Sequence, residues 1–163
     1  MAEVCDVLPP GELVQDLIDG VDIRHAKTHA DERGELCEVW DERWGFSASG
    51  VPYAYFVTLR PGSVRGWVVH LEQDDRLFLA SGSIKVVLYD AREDSPTVGH
   101  LNDFVFGTHD RALLQIPPGV FHAVKNVGHT EAVFVNLPSR PYLHEDPDKY
   151  RLPAGSEAIP YKL

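Results

Sequence analysis

The sequence predicts an all-β protein, a jelly-roll barrel or sandwich, and three observations carry that expectation. Short apolar runs rich in β-branched and aromatic residues recur between Val21 and Leu137. Breaks such as Arg60-Pro61-Gly62, Ser81-Gly82, Pro117-Pro118-Gly119 and Val127-Gly128 interrupt them at the short intervals of closed antiparallel folds. The length, 163 residues, suits one domain at roughly 150 residues each.

Taken in order, Gly11–Asp19 reads as the one helix, because Leu13, Val14, Leu17 and Ile18 share a helical face and Gly20 follows as a stop. Strands are expected at Tyr53–Leu59, Val64–His70, Arg76–Ala80, Ile84–Asp90, Ala112–Ile116, His122–Asn126 and Ala132–Leu137. After Pro138 the periodicity fades. Residues 139–163 are expected to be an ordered tail lying over a core of about residues 21–138, since three tyrosines argue against disorder.

Composition excludes several classes of function. Hydrophobic residues at 44% and charged residues at 25% are globular values. The balance of 15 basic against 25 acidic residues, net −10, repels nucleic-acid backbones and anionic membranes. No apolar run reaches the roughly 18 residues of a spanning helix. Cys5 and Cys37 have no CxxC spacing and read as reduced. The acidic N-terminal stretch lacks the basic and apolar regions of a secretion signal, so a cytoplasmic location is expected. In so acidic a chain, an anionic small molecule would need individual arginines gathered in a pocket.

The most specific segment is Ile116-Pro117-Pro118-Gly119-Val120-Phe121-His122-Ala123-Val124-Lys125-Asn126, a rigid turn followed by a histidine that opens a strand. It matches the second motif of the cupin barrels, PxGxxHxxxN, in full. Gly66–Gly82 resembles the first cupin motif in part: Val68 takes the leading histidine position, His70 the second, and Asp75 stands for the acid. Strand alternation puts Val68 and His70 on one face.

Further segments narrow the resemblance. Asp31–Trp40, Val64-Arg65-Gly66-Trp67, Asp90–Gly99 and a tail containing Tyr142 occur in one order with the Pro-Pro-Gly turn. That order resembles the dTDP-4-dehydrorhamnose 3,5-epimerase family over about Val21–Pro153. The likeness is closer to a divergent branch with RGW and the tail Pro147-Asp148-Lys149-Tyr150-Arg151.

The resemblance implies a cytoplasmic homodimer that acts on a dTDP-4-keto-6-deoxy sugar without metal or other cofactor, by proton transfer beside the C4 ketone. Tyr142 matches the tyrosine that returns a proton. Val68 stands where the base histidine would be, which leaves His70 as base, and His122 would orient the sugar. Arg65 aligns with an arginine on the diphosphate. Arg33 and Glu38 align with residues lent to the neighbouring subunit's nucleotide site. Arg76 falls near a lysine that polarises the carbonyl, and Tyr55 stands where an amide side chain usually contacts the ligand.

Three functional readings stay open on the residues alone. One is the epimerase or isomerase just described. The second is a cupin that binds the nucleotide sugar without chemistry, a sensor or partner protein, for which Val68 is the motive. The third is a metal-dependent cupin enzyme with His70, Asp75 and His122 as N/O ligands.

Overall fold

The computed structural model describes residues 12–13, 16–46 and 49–163. Thirteen strands are formed among them: β1 (Glu12–Leu13), β2 (Asp22–His25), β3 (Thr28–Asp31), β4 (Gly34–Cys37), β5 (Tyr55–Leu59), β6 (Val64–Val69), β7 (Asp75–Ser81), β8 (Ser83–Asp90), β9 (His100–Gly107), β10 (Ala112–Ile116), β11 (Val120–Asn126), β12 (Ala132–Asn136) and β13 (Tyr150–Arg151). A six-stranded sheet runs β1-β9-β8-β11-β6-β13, a five-stranded sheet runs β2-β10-β7-β12-β5, and β3 and β4 form a separate hairpin. The expected all-β jelly-roll class is what the chain adopts. No helix among the described residues is long and apolar enough to cross a membrane.

Alternation builds the layers. On β8, Ile84, Val86 and Leu88 enter the core between the sheets, while Val87 and Tyr89 face outward. On β7, Leu77 and Leu79 point inward, and Phe78 joins Leu113 and Leu137 on the outer face of the five-stranded sheet. The tail covers the other outer face. Its Tyr150, Leu152, Ile159 and Tyr161 pack on Trp67, Tyr89 and Phe121, and Leu152 exchanges two main-chain hydrogen bonds with Trp67, both 3.0 Å.

The helix expected at Gly11–Asp19 is not formed among its described residues. Glu12–Leu13 pairs in parallel with His100–Leu101 instead. Leu17 is 41% exposed whereas Ile18 is buried at 1%, so neighbours that a helix would place on one face are split. The backbone is satisfied by a side chain: Asn102 accepts from the Ile18 N–H at 3.0 Å and donates to the Asp16 carbonyl at 2.9 Å. Strand β9, whose His100, Asn102 and Asp103 obscure its pattern, is a further difference from the sequence expectation. Cys37 is a free thiol, and Cys5 lies outside the described residues.

Candidate active site

The site begins at a bulge. Between β6 and β11 the register passes from His122↔Val68 to Val124↔Arg65, so that Gly66 and Trp67 on one strand face Ala123 alone on the other. An extra residue in one strand re-aims its side chains, here turning Arg65 toward the same face as Val68. Gly66 permits this close approach. Its φ is +146°, and a Cβ there would lie 2.4 Å from the Ala123 Cβ and 2.6 Å from its Cα. Val68 thus sits beside His122 across the ladder, an apolar wall where a second imidazole would otherwise face the first.

Three buried polar side chains converge next to it. Asp75 Oδ2 lies 3.4 Å from His122 Nε2 and 3.6 Å from His70 Nε2, and the two imidazole centroids are 5.4 Å apart. Asn136 Nδ2 donates to Asp75 Oδ2 at 3.2 Å and to the Tyr55 hydroxyl at 2.6 Å, and Gln73 Nε2 donates to Asp75 Oδ1 at 3.5 Å. The Pro-Pro-Gly turn is tied directly to the cluster, since the Gly119 N–H donates to the His70 carbonyl at 2.7 Å. One N or O atom from each of His70, Asp75 and His122 falls within 4.8 Å of the others, dimensions that also fit a divalent cation.

Electrostatics follow from burial and pairing. Burial pushes the Asp75 carboxyl up, but hydrogen bonds and charge from His122 and His70 outweigh it and hold the group well below the usual carboxylate range. Burial pushes the His70 imidazolium down, yet Asp75 and the carbonyl and charge of Asp148 prevail, so its pKa is raised. The Tyr55 phenol is raised by burial first and by Asp75 next, and is therefore a neutral donor.

His70 opens on a cavity of about 520 Å³ whose lining also includes Tyr53, Tyr55, Tyr142 and Lys149. The structure therefore brings His70, Tyr142 and Tyr55 to one space, with His122 behind His70. Tyr142 is 42% exposed and meets His144 edge to face at 4.9 Å. Arg65 is exposed, and its charge is felt at Tyr55 and Lys149.

Other residues singled out in the sequence lie elsewhere. Arg76 is the correction: it shares β7 with Asp75 but points to the opposite face and does not line the cavity. Fully buried, it donates to the carbonyls of Ser49, Gly50 and Leu137 at 3.0–3.2 Å and lies 4.8 Å from the Trp40 ring centroid. Alternation dictates that outcome, because adjacent strand residues cannot both enter the barrel. Arg33 sits on the β3–β4 turn paired with Asp31 at 2.5 Å, and Glu38 lines a separate small cavity together with Arg24 and Trp44; neither lines the His70 cavity of its own chain. Arg111 holds that hairpin to the barrel by donating to Glu35 at 2.9 Å, Thr28 at 3.1 Å and the Ala80 carbonyl at 3.0 Å.

Sequence reasoning passed over Gln73, Asn136, Asp148 and Lys149. For the last two the signal was present, since Pro147–Arg151 stood out as a motif without an assigned task.

Comparison with known proteins agrees with this fold. The family description of the dTDP-4-dehydrorhamnose 3,5-epimerases matches residues 15–154. The chain is 39% identical over 137 residues to the probable low-salt glycan biosynthesis epimerase Agl13 of Haloferax volcanii, covering 83% of this chain and 88% of the relative. It is 34% identical over 149 residues to the spore coat polysaccharide biosynthesis protein SpsL of Bacillus subtilis, covering 88% and 94%. Among solved structures, a dTDP sugar isomerase from Desulfovibrio desulfuricans superposes with a TM-score of 0.81 at 29% identity, covering 88% of this chain and 90% of that one. With its barrel, its histidine-carboxylate cluster and a family match across most of its length, the chain belongs to the dTDP-4-dehydrorhamnose 3,5-epimerase family.

Proposed function

We propose that this protein moves a proton at a carbon beside the C4 ketone of a dTDP-4-keto-6-deoxy sugar, with His70 as base and Tyr142 as acid. The observation that carries this function is that a buried histidine backed by a carboxylate and a C-terminal tyrosine line one cavity. Neutral His70 takes the proton at Nε2. The imidazolium so formed is stabilised by Asp75, whose carboxylate oxygen lies 3.6 Å from Nε2. Negative charge passes to the ketone oxygen, and the neutral Tyr55 hydroxyl on the cavity wall is placed to donate to it. Tyr142 returns a proton to the other face of the carbon. With Val68 inert, one stereocentre is the expected scope.

Arg65 supplies a guanidinium fork suited to the diphosphate. Arg33 and Glu38 would complete the nucleotide site of a second subunit in a homodimer, which accounts for their distance from the cavity of their own chain.

The test is proton NMR of dTDP-4-keto-6-deoxyglucose in D2O with the purified protein. Loss of the C3 or the C5 signal alone, abolished by His70→Asn, is the expected result. Val68 favours a second reading, binding without chemistry. Line broadening of the nucleotide sugar with no exchange at either carbon would establish that one and exclude the first. Unchanged turnover after dialysis against a strong chelator separates the first reading from a metal-dependent enzyme.

A further inference from the structure

The tail residue Asp148 makes more polar contacts with the barrel than its place in an irregular segment requires. Its carboxylate accepts three consecutive main-chain N–H groups, Leu71 at 2.8 Å, Glu72 at 2.9 Å and Gln73 at 3.0 Å, and so caps the loop that leaves β6. Its own main-chain carbonyl accepts from His70 Nδ1. Two residues further on, Tyr150 pairs with Val69, and Lys149 N–H closes a turn onto the Pro147 carbonyl at 2.7 Å. The carbonyl facing His70 is therefore fixed from both sides.

A carbonyl oxygen only accepts. The proton of neutral His70 must then reside on Nδ1, which leaves Nε2 unprotonated, 3.6 Å from Asp75 Oδ2. Resting on the proton-transfer function above, we propose that Asp148 is a positioning residue for His70: its carboxylate anchors the tail to the 71–73 loop so that its main-chain carbonyl selects the His70 tautomer competent to act as a base. The C-terminal tail thereby becomes part of the catalytic apparatus as well as a cover for the barrel. The groups facing His70 are Asp75 on β7, His122 on β11 and Asp148 in the tail, and Glu72 and Arg140, paired with each other, line the same cavity.

The test compares wild type, Asp148→Ala and Asp148→Asn by two readouts. Nitrogen-15 NMR of His70 at alkaline pH, without substrate, should show the Nδ1–H tautomer in wild type and a mixture with the Nε2–H form in D148A. Solvent exchange into the sugar should fall about 10²-fold in kcat with little change in KM, as small misplacements of a reacting group do, and its acidic limb should move to lower pH as His70 loses an acceptor. D148N retains one acceptor oxygen and should fall between the two, and it carries the test by the same readouts if D148A does not fold. An Nε2–H tautomer in wild type, or an unchanged tautomer and rate in folded variants, overturns the proposal. No exchange in wild type would instead overturn the proton-transfer function, and the tautomer measurement would still decide the role of Asp148.

Discussion

His70 Nε2 stands 3.6 Å from Asp75 Oδ2 with both side chains buried, one at the end of β6 and the other at the start of β7. A carboxylate so placed stabilises imidazolium more than imidazole, which raises basicity and favours proton abstraction. In the proposed function, removing either partner has different consequences, because His70 acts as the base and Asp75 sets its strength.

His70→Asn should lower solvent exchange about 10²–10⁴-fold, the usual contribution of a general base. Nucleotide-sugar affinity, read by calorimetry, should stay within a few-fold, since the proposed diphosphate contact, Arg65, is a different residue.

Tyr142→Phe separates the two half-reactions. Deuterium should still wash into the substrate, while formation of the inverted sugar falls by a similar factor, about 10²-fold or more. Equal loss of both would place Tyr142 outside the acid role.

The pH profile has a defined sign. A base must be unprotonated, and the His70 pKa is raised, so exchange should reach half its maximum above the ordinary imidazole value of about 6.5. Asp75→Asn should move that limb downward and slow exchange on the plateau. Stability runs the other way: the His70 contribution is full below the unfolded imidazole value and is lost as pH rises through the folded one. The lowered Asp75 contributes above the unfolded carboxyl value and is lost only as pH falls toward its depressed folded one. Chemical denaturation across pH 5–9 would reveal opposite trends in stability and rate.

Arg76→Met should lower stability by about 2–4 kcal/mol, as the carbonyls of Ser49, Gly50 and Leu137 lose a charged donor in a buried setting. Exchange per folded molecule should change little. A selective loss of kcat with an unchanged melting temperature would restore Arg76 to the reaction.

Gly66→Ala should destabilise by about 2–4 kcal/mol, because the added methyl meets Ala123 at 2.4 Å and the backbone is held at a φ few side chains adopt. Thermal unfolding against wild type measures it.

Much of the barrel was legible because Pro and Gly mark its turns and β-branched runs mark its strands. The strand from Ser83 to Asp90 and the Pro-Pro-Gly turn before His122 were expected almost residue for residue. The N-terminal segment was not, because its apolar spacing fits a helix while the buried Asn102 amide holds it extended, a contact between residues some 84 apart. His70 and Asp75 were legible from their spacing in one motif. Arg76 was misplaced because a likeness in position says nothing about strand face. Asp148 stood in the Pro147–Arg151 motif, but its task was not legible there, since its three N–H donors lie more than 70 residues upstream.

The six-stranded sheet ends on each side in a strand of only two residues, β1 on one edge and β13 on the other. An exposed ladder of main-chain donors and acceptors invites another chain to extend it, and very short terminal strands offer too few rungs for that. Among the described residues, the edges of this sheet thus offer little for lateral growth. Among the described residues, the five-stranded sheet ends in the longer β2 and β5, so strand-by-strand recruitment of another polypeptide has more rungs there.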